Sequence, residues 1–442
     1  MKIKNLYLPF RFFGGLGVIF VLFILGFPFY FFFPLAHTVL VAFLVLVILD
    51  IILLFNKGVS FNAERSTSRL LSLGNDNDVK ITVANLSSRS FDLFLIDELP
   101  YQLQIRDFGK SLHLKGMEKK RLVYQIRPLV RGKYDFGEIH LYITSKIGLV
   151  QRRISIPVQE EVAVYPSVMD MKKYELKSAM STTINFGIKK IRRIGHSYEF
   201  EQIKEYTIGD DYKSMNWKAT SRSNKLMVNN YTDEKSQQVY CLIDKGRYMK
   251  MPFNGLSLLD YSINSSLIIA NTSLQKQDKA GLITFSDKVE SVIRADRSRN
   301  QLKLILETLY KEKESRLDSN YEYLYSSVKK TIRGRSLIFL FTNFESLNSL
   351  QRVLPVLRKL NKSHLLVVIV FENKELRDYY QQDKENLKDV YYKTIAHKIA
   401  NEREIIVSEL RHYGIQHIFT RPENLSINAI NKYLELKSRG MI

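Results

Sequence analysis

The sequence has very little cysteine and tryptophan, with one of each in 442 residues. A single cysteine excludes an internal disulfide framework and a zinc cluster built from thiolates, and it suits a reducing compartment. Cys241 lies inside the apolar run VYCLID. A cysteine in such a run is expected to be a buried structural thiol rather than a nucleophile.

The motifs of several common enzyme classes are also missing. The chain contains no GxxxxGK[ST] phosphate-binding loop, no GxGxxG, no HExxH and no GxSxG. His412 and His417 are five residues apart across a predicted helix end, and they make no metal-ligand pair. We therefore predict a protein that is not an enzyme.

Acidic residues are outnumbered, with 66 Lys and Arg against 45 Asp and Glu and a formal net charge of +21. Such an excess favours an anionic partner surface. The basic residues are spread along the chain, so the solvated cytoplasmic face of a membrane-anchored protein accounts for them better than nucleic-acid binding does. A chain of this length is too long for one core, and two or three domains are expected.

Residues 12–55 are almost wholly apolar. One membrane span needs about 20 residues, and this stretch has room for two. Pro28 and Pro34 place a turn near its middle. We predict a transmembrane helical hairpin over residues 1–57, with spans at about 11–28 and 35–55.

The orientation of this hairpin follows from its flanking charges. The flanking basic residues are Lys2, Lys4 and Arg11 before the first span, and Lys57, Arg65 and Arg69 after the second. The positive-inside rule then places both ends, and the bulk of the chain, on the cytoplasmic side of the inner membrane. Asp50 falls within the second span, and we expect its carboxylate to reach the nearby interface rather than to serve a function.

Residues 58–166 alternate between short apolar runs and polar turns. The runs with strand-like patterns are 79–85, 91–98, 121–126, 137–144 and 161–166. Their period of two indicates half-buried strands. About seven strands in such a length predict an all-β immunoglobulin-like sandwich.

From residue 238 to 442, apolar strands alternate with helical patterns. Predicted strands lie at 239–244, 280–285, 288–295, 336–342, 365–371 and 416–420, and predicted helices at 257–275, 298–313, 385–413 and 426–438. This alternation predicts a doubly wound α/β domain, which binds ligands at the carboxyl ends of its strands. The residues after Ile243 and Phe341 are therefore the candidates for a site.

This order of elements resembles a von Willebrand factor A-like domain. The resemblance implies a divalent-metal site, known as a metal-ion-dependent adhesion site (MIDAS), with an Asp-x-Ser-x-Ser loop after the first strand and a second Asp after a later one. Here Asp244 is retained, but Gly246 and Tyr248 stand for the two serines and Asn343 for the second acid. Lys245 and Arg247 add positive charge nearby. We predict a degenerate site with no cofactor, with Mg²⁺ at Asp244 as the weaker alternative.

The segment 167–237 links the two domains and contains the stretch 197–228. That stretch holds Glu-Phe, Lys-Glu-Tyr, Gly-Asp-Asp, Lys-x-Met-x-Trp, Ser-Arg and Leu-x-Val in order, after the basic run 189–193. The pattern closely resembles that of the bacterial membrane-anchored family called domain of unknown function 58, with Lys204, Lys213 and Met215 as departures. The signature residues, which we predict to form an interface, are Glu199, Glu205, Tyr206, Gly209, Asp210, Asp211, Trp217 and Arg222.

The resemblance implies a partner rather than a substrate. Genes of this family neighbour MoxR-type AAA+ ATPases, and a role in assembly or stress tolerance is supposed. The first hypothesis is a non-catalytic membrane scaffold that recruits such an ATPase or another protein client. The second is a metal-dependent receptor that uses Asp244, and the third is a hydrolase that uses the acidic signature. We expect Trp217 to pack against the α/β domain, and the signature acids to pair with Arg222, Lys213 and Lys218.

Overall fold

The computed structural model describes residues 5–441, apart from 57, 69, 107, 168–197, 209, 211, 234–235, 374, 376–377 and 380–386. The chain divides into two compact units, Met1–Tyr165 and Pro166–Ile442. The first unit contains apolar helices and β-sheets, and the second is an α/β unit.

Two apolar helices stand near the N-terminus, α1 (Phe10–Gly26) and α2 (Phe32–Phe55). They pack closely, since a Cβ built on Gly15 would lie 2.6 Å from the ring of Phe43. With 24 residues and a mean hydropathy of 3.1 in its most apolar window, α2 is long and apolar enough to cross a membrane. At 17 residues, α1 is shorter.

The rest of the first unit is built from strands. They are β1 (Leu6–Tyr7), β2 (Phe61–Ser66), β3 (Leu70–Ser72), β4 (Asn77–Asn85), β5 (Phe91–Asp97), β6 (Gly109–Leu114), β7 (Lys119–Ile126), β8 (Gly132–Phe136), β9 (Ile139–Thr144), β10 (Gln151–Ile156) and β11 (Glu160–Tyr165). They form sheets of order β1-β10-β9-β5-β6, β2-β4-β7 and β3-β11-β8. Strands such as β5 alternate buried and exposed side chains, as the period of two predicts.

Arg65 is buried in this unit and is not available to a membrane surface. Its guanidinium pairs with the carboxylate of Asp97 and donates to the carbonyl oxygens of Val158 at 2.6 Å and Gly137 at 3.0 Å. Its charge is therefore neutralised inside the folded unit. The orientation that the flanking charges indicate stays a prediction.

Asp50 is fully buried near the C-terminal end of α2. Its carboxylate accepts hydrogen bonds from the Ser145 hydroxyl and from the backbone N–H groups of Leu149, at 2.8 Å, and Val150, at 2.9 Å. The expectation that Asp50 reaches an interface is wrong, because the loop between β9 and β10 covers it. Three donors of this loop thus meet at one carboxylate, which joins α2 to the loop between two strands of the sheet.

A second contact joins this helix end to β10. The Arg152 guanidinium donates to the carbonyl oxygen of Leu54 at 2.8 Å and lies 5.2 Å from the centre of the Phe55 ring. A helix C-terminus leaves carbonyl groups unpaired and carries a partial negative charge, so a cation stabilises it. The strand β1, just before α1, also pairs with β10. Both helix ends are therefore held at the same edge of the β-sheet.

The second unit begins with an antiparallel ribbon. Its strands are β12 (Tyr198–Glu205) and β13 (Met227–Asp233), and the short helix α3 (Trp217–Ser223) lies between them in sequence. Asn216 caps α3, because its side-chain oxygen accepts from the Ala219 N–H at 3.0 Å. The stretch that carries the family resemblance is thus a strand–helix–strand ribbon.

The remaining elements form the α/β sheet and its helices. The strands are β14 (Gln238–Asp244), β15 (Pro252–Phe253), β16 (Leu256–Ser257), β17 (Lys279–Phe285), β18 (Val289–Asp296), β19 (Leu337–Phe341), β20 (Leu365–Phe371) and β21 (Gln416–Thr420). The helices are α4 (Leu258–Gln275), α5 (Gln301–Lys311), α6 (Tyr321–Thr331), α7 (Leu347–Ser363), α8 (Leu387–His412) and α9 (Leu425–Ser438). The sheet order is β18-β17-β14-β19-β20-β21, and only β18 is antiparallel to its neighbour.

Every predicted strand of this region is present. Helices α6 and α7 were not predicted, although both have an apolar face that packs on the sheet, with Leu324 and Leu357 buried in the same core cluster. Cys241 is buried, and burial alone raises the pKa of its thiol above the ordinary range. This thiol is structural, as its apolar run indicates.

Candidate functional site

The centre of the α/β sheet brings two predicted strand ends together. β14 lies between β17 and β19, and the chain order reverses between β14 and β19. In open α/β sheets this reversal opens a crevice at the carboxyl ends of the strands. Asp244 ends β14 and Thr342 follows β19, so both side chains lie at this crevice.

Four donors surround the Asp244 carboxylate. One oxygen accepts from the Gly246 N–H at 2.8 Å and from the Ser319 hydroxyl. The other accepts from the Thr342 hydroxyl at 2.7 Å and from the Tyr321 hydroxyl at 3.2 Å. One of the four donors is a backbone group, and three hydroxyl groups make up the rest of the set.

Electrostatics at this site are governed by burial. Burial raises the pKa of the Asp244 carboxyl, while its hydroxyl donors and the Gly246 N–H act in the opposite direction. The pKa of Tyr321 is raised well above its ordinary value, first by burial and then by the adjacent Asp244. The tyrosine therefore stays protonated and serves as a donor. Such a group is no general base at neutral pH.

Gly246 leaves the space in which Ser319 approaches the carboxylate. A Cβ at position 246 would lie 2.2 Å from the Ser319 hydroxyl oxygen and 3.1 Å from an oxygen of Asp244. The backbone at 246 is extended, with a φ of −64°. A side chain introduced there would therefore cause a steric conflict but no backbone strain. A serine here, as the metal-binding pattern requires, would displace Ser319.

We expect Gly246→Ala to destabilise the α/β unit by about 1–3 kcal/mol, as overpacking does in other cores. The double variant Gly246→Ala/Ser319→Ala is expected to recover part of this loss, because the clashing oxygen is gone. A double-mutant cycle by chemical denaturation measures the coupling between the two positions. Additive effects would show that the two residues do not compete for this space.

The sequence suggested free positive charge beside Asp244. The charges of Lys245 and Arg247 are both paired instead. The buried Lys245 ammonium pairs with Glu290 at 2.7 Å and with Glu312. The Arg247 guanidinium pairs with Asp318 at 2.7 Å and also contacts the Tyr248 hydroxyl. Acids that are distant in sequence thus neutralise both bases.

Tyr248 and Asn343, the other two positions of the degenerate metal-site pattern, lie beside one another. The Asn343 amide donates to the backbone oxygen of Tyr248 at 3.1 Å. A cleft of about 350 Å³ is lined by residues that include Asp244, Tyr248, Ser319, Tyr321 and Asn343. Within the described part of the chain, no group of three or more His, Cys, Asp or Glu side chains is arranged to hold a metal ion.

Sequence reasoning missed Ser319 and Tyr321. One signal was available, since Asn320 caps α6 by accepting from the N–H groups of Glu322 and Tyr323. An Asn followed by an acidic residue is typical of a helix start. Recognising that start would have placed Tyr321 at the first turn of a helix that packs on the sheet, and Ser319 in the loop just before it.

The described acids of the ribbon form ion pairs different from those predicted. Asp210 pairs with Lys204 at 2.8 Å and accepts from the Thr207 N–H at 3.0 Å. Lys204 and these hydrogen bonds lower the pKa of Asp210 to about 2. Glu205 pairs with Lys225 at 2.5 Å. Neither acid pairs with Arg222, because that side chain lies on α3 and is exposed.

Trp217 is 69% exposed at the start of α3, so its predicted packing against the α/β domain is wrong. Glu199 lies on β12, opposite Thr232, and the Tyr206 N–H donates to Leu226 at 2.8 Å. Gly209 and Asp211 lie outside the described residues. The ribbon thus presents its largest aromatic side chain to the surface.

Comparison with known proteins places a family match over the second unit. The family described as "Protein of unknown function DUF58" matches residues 202–380, a stretch shorter than half of the chain. The chain is similar to that family over this stretch. The uncharacterized protein YeaD of Bacillus subtilis is 22% identical over 147 residues, which cover 31% of this chain and 36% of the relative.

Solved structures give only weak likenesses. The conserved hypothetical protein BatB from Bacteroides thetaiotaomicron is 13% identical, covers 46% of this chain and 100% of its own, and has a TM-score of 0.29. A CARDB domain from Pyrococcus furiosus is 14% identical, covers 24% of this chain and 93% of its own, and has a TM-score of 0.17. With TM-scores below 0.5, these likenesses establish no shared fold.

Proposed function

We propose that this protein is a non-catalytic, membrane-anchored scaffold whose α/β unit binds a protein partner. The observation that carries the proposal is the Asp244 carboxylate, whose four hydrogen bonds all come from protein donors. A reactive carboxylate would need a free oxygen that faces a substrate. This strand-end acid instead holds three loops together.

The exposed apolar surface of α2 supports the anchor. Only 11% of its most apolar window is buried within the protein, whereas the core helix of a soluble domain is mostly covered. The pairing of β1, which precedes α1, with β10 and the hydrogen bond from Arg152 of β10 to Leu54 of α2 support a two-helix hairpin whose ends lie on one side. The positive-inside rule then assigns that side to the cytoplasm of the inner membrane.

The partner that we propose is a MoxR-type AAA+ ATPase, as the resemblance to domain of unknown function 58 implies. The α/β unit would then be a von Willebrand factor A-like module. The exposed Trp217 and Arg222 support an interface on the ribbon, because Trp and Arg dominate the binding energy of many protein interfaces. The role would be in assembly or stress tolerance.

Capture of the full-length protein tests this proposal. We expect the tagged chain, crosslinked mildly in its native cells and purified in detergent, to bring down an AAA+ ATPase identified by mass spectrometry. Trp217→Ala is expected to reduce the recovered ATPase about tenfold or more, in line with a binding hot spot. Because the side chain is exposed, its loss should leave the free energy of unfolding nearly unchanged.

The matched control is Tyr101→Ala, which removes another exposed aromatic side chain, on the first unit. It should leave ATPase recovery at the wild-type level. Recovery of no ATPase and no other stable partner would overturn the scaffold proposal. Equal recovery of the ATPase with Trp217→Ala and Tyr101→Ala would show that the ribbon is not part of the interface.

A metal-dependent receptor is the alternative. Mg²⁺ prefers carboxylates and other oxygens in octahedral geometry. The residues here do not fit that ion well, because Gly246 has no side-chain oxygen and the hydroxyls of Ser319 and Thr342 donate to Asp244. We therefore expect 10 mM Mg²⁺ to leave the thermal unfolding of the protein unchanged, where a bound metal would raise the unfolding temperature.

A hydrolase acting through the signature acids is the last alternative. Asp210 has a pKa of about 2 and is held by Lys204. It is ionised and ion-paired near neutral pH, so it is a poor general acid and a weak base. This argues against proton transfer by the described acids of the ribbon.

A further inference from the structure

A second cavity, which shares Asn343 with the cleft at Asp244, opens at the carboxyl ends of β19, β20 and β21. Its volume is about 460 Å³, within the range of small-molecule sites. Its walls come from the strand ends, from α8 and from the segment that precedes α4. The apolar side chains that line it include Met251, Phe253, Phe371, Ile399, Phe419 and Pro422.

The charged side chains of this cavity are mostly acidic. Four glutamates line it, namely Glu345, Glu372, Glu402 and Glu404. Of these, Glu372 pairs with Arg421 at 3.4 Å. Among the described residues that line the cavity, one is a cation, Arg403, whose guanidinium donates to the backbone oxygen of Phe344 and lies within electrostatic reach of Glu402 and Glu345. The acids still exceed the bases, in a chain whose net charge is +21.

One buried acceptor in the wall has no partner. Asn343 is 8% exposed and lines the cavity, and its amide nitrogen is taken up by Tyr248. Its side-chain oxygen accepts no hydrogen bond from any residue that the structure describes. A buried acceptor of this kind destabilises the protein unless a donor reaches it. A ligand in the cavity would supply that donor.

We propose that this cavity binds an alkylammonium or guanidinium group, the chemistry of a lysine or arginine side chain. The cation donates to the side-chain oxygen of Asn343 and is neutralised by the glutamates, which outnumber the cations among the described lining residues, while its apolar stem packs on the phenylalanine rings. An anion would be repelled by the glutamates. A neutral apolar ligand would leave the Asn343 oxygen unpaired.

Two sources carry this chemistry, namely a free diamine or amino-acid derivative and a basic side chain of a peptide. The site depends on the geometry of the α/β unit alone. It does not depend on the scaffold proposal. If the cavity bound no cation, the result of the ATPase capture experiment would not change. Loss of ATPase capture would likewise leave cation binding unchanged.

Binding to the full-length protein in detergent tests the proposal by isothermal titration calorimetry. The probes are agmatine for the free source and acetyl-Ala-Leu-Arg-Leu-Ala-amide for the peptide source. Matched neutral probes are pentylurea and the same peptide with citrulline in place of arginine. We expect saturable binding of at least one cationic probe, at least about tenfold tighter than its neutral match, since hydrogen bonds to charged groups are the stronger class.

Variants locate the site. Glu402→Gln and Asn343→Leu are each expected to weaken the binding of the cationic probe by about tenfold or more. Glu307→Gln, a surface acid of α5 that faces Lys303 at 3.8 Å, is the matched control and should bind as the wild type does. Thermal unfolding of each variant establishes that it is folded.

Three results would overturn the proposal. They are no saturable binding of either cationic probe, equal binding of cationic and neutral probes, and unchanged affinity in both folded cavity variants. Preference for agmatine over the peptide assigns a free ligand, and the reverse preference assigns a peptide. Either preference supports the cation site.

Discussion

Asp244→Ala is expected to lower the free energy of unfolding of the α/β unit by about 3–5 kcal/mol. The substitution removes the shared acceptor of Gly246, Ser319, Tyr321 and Thr342 in a buried place. It also leaves a small cavity at the centre of the sheet. Thermal unfolding of the full-length protein should then shift by about 2–4 °C for each kcal/mol.

The matched control for this substitution is Asp318→Ala. Asp318 lies one residue from Ser319, but its side chain is 66% exposed and forms a surface ion pair with Arg247. Exposed pairs contribute about 0–1 kcal/mol, so the control should unfold near the wild-type temperature. Equal stability of the two variants would contradict the structural role that we assign to Asp244.

The second large effect is expected at Asp50. Asp50→Ala removes the acceptor that the Ser145 hydroxyl and the N–H groups of Leu149 and Val150 share. Charge-assisted hydrogen bonds contribute about 1.5–3 kcal/mol each, and a loss of about 3 kcal/mol is expected in the contact between α2 and the sheet. Hydrogen exchange of the Leu149 and Val150 amides should accelerate by about 100-fold.

Two variants serve as references for this result. Ser145→Ala removes one of the three donors and should accelerate exchange less than Asp50→Ala does. Asp92→Ala alters a carboxylate that is 66% exposed on the same unit, and it should leave these amides unchanged. If exchange at Leu149 and Val150 is the same in Asp50→Ala as in the wild type, the carboxylate does not hold the loop against the helix.

The local pattern of the chain predicted most of the strands. Alternation along 91–98 and the continuous apolar runs at 336–342 and 365–371 all correspond to observed strands. These patterns are reliable because the period of two and the lack of polar residues reflect which faces are buried. Helices α6 and α7 were missed, although the polar and apolar residues of both follow a helical spacing.

The candidate site was predicted only in part. Asp244 and Thr342 end neighbouring strands, and strand ends are evident from where apolar runs stop. Ser319 approaches from a loop that is 75 positions further along the chain than Asp244. No periodicity relates two such positions, so the donor set required the packed structure. The predicted pairs of Glu205 and Asp210 were wrong for the same reason.

By itself, the sequence determined the long apolar stretch, the strands and the lone carboxylate at the end of a strand. Each of these depends on neighbours within a few residues and on hydrophobic periodicity. The tertiary structure decided which charges and rings are covered. It buried Asp50 and Arg65, exposed Trp217 and surrounded Asp244 with donors, because burial and hydrogen bonding depend on groups that are distant in sequence.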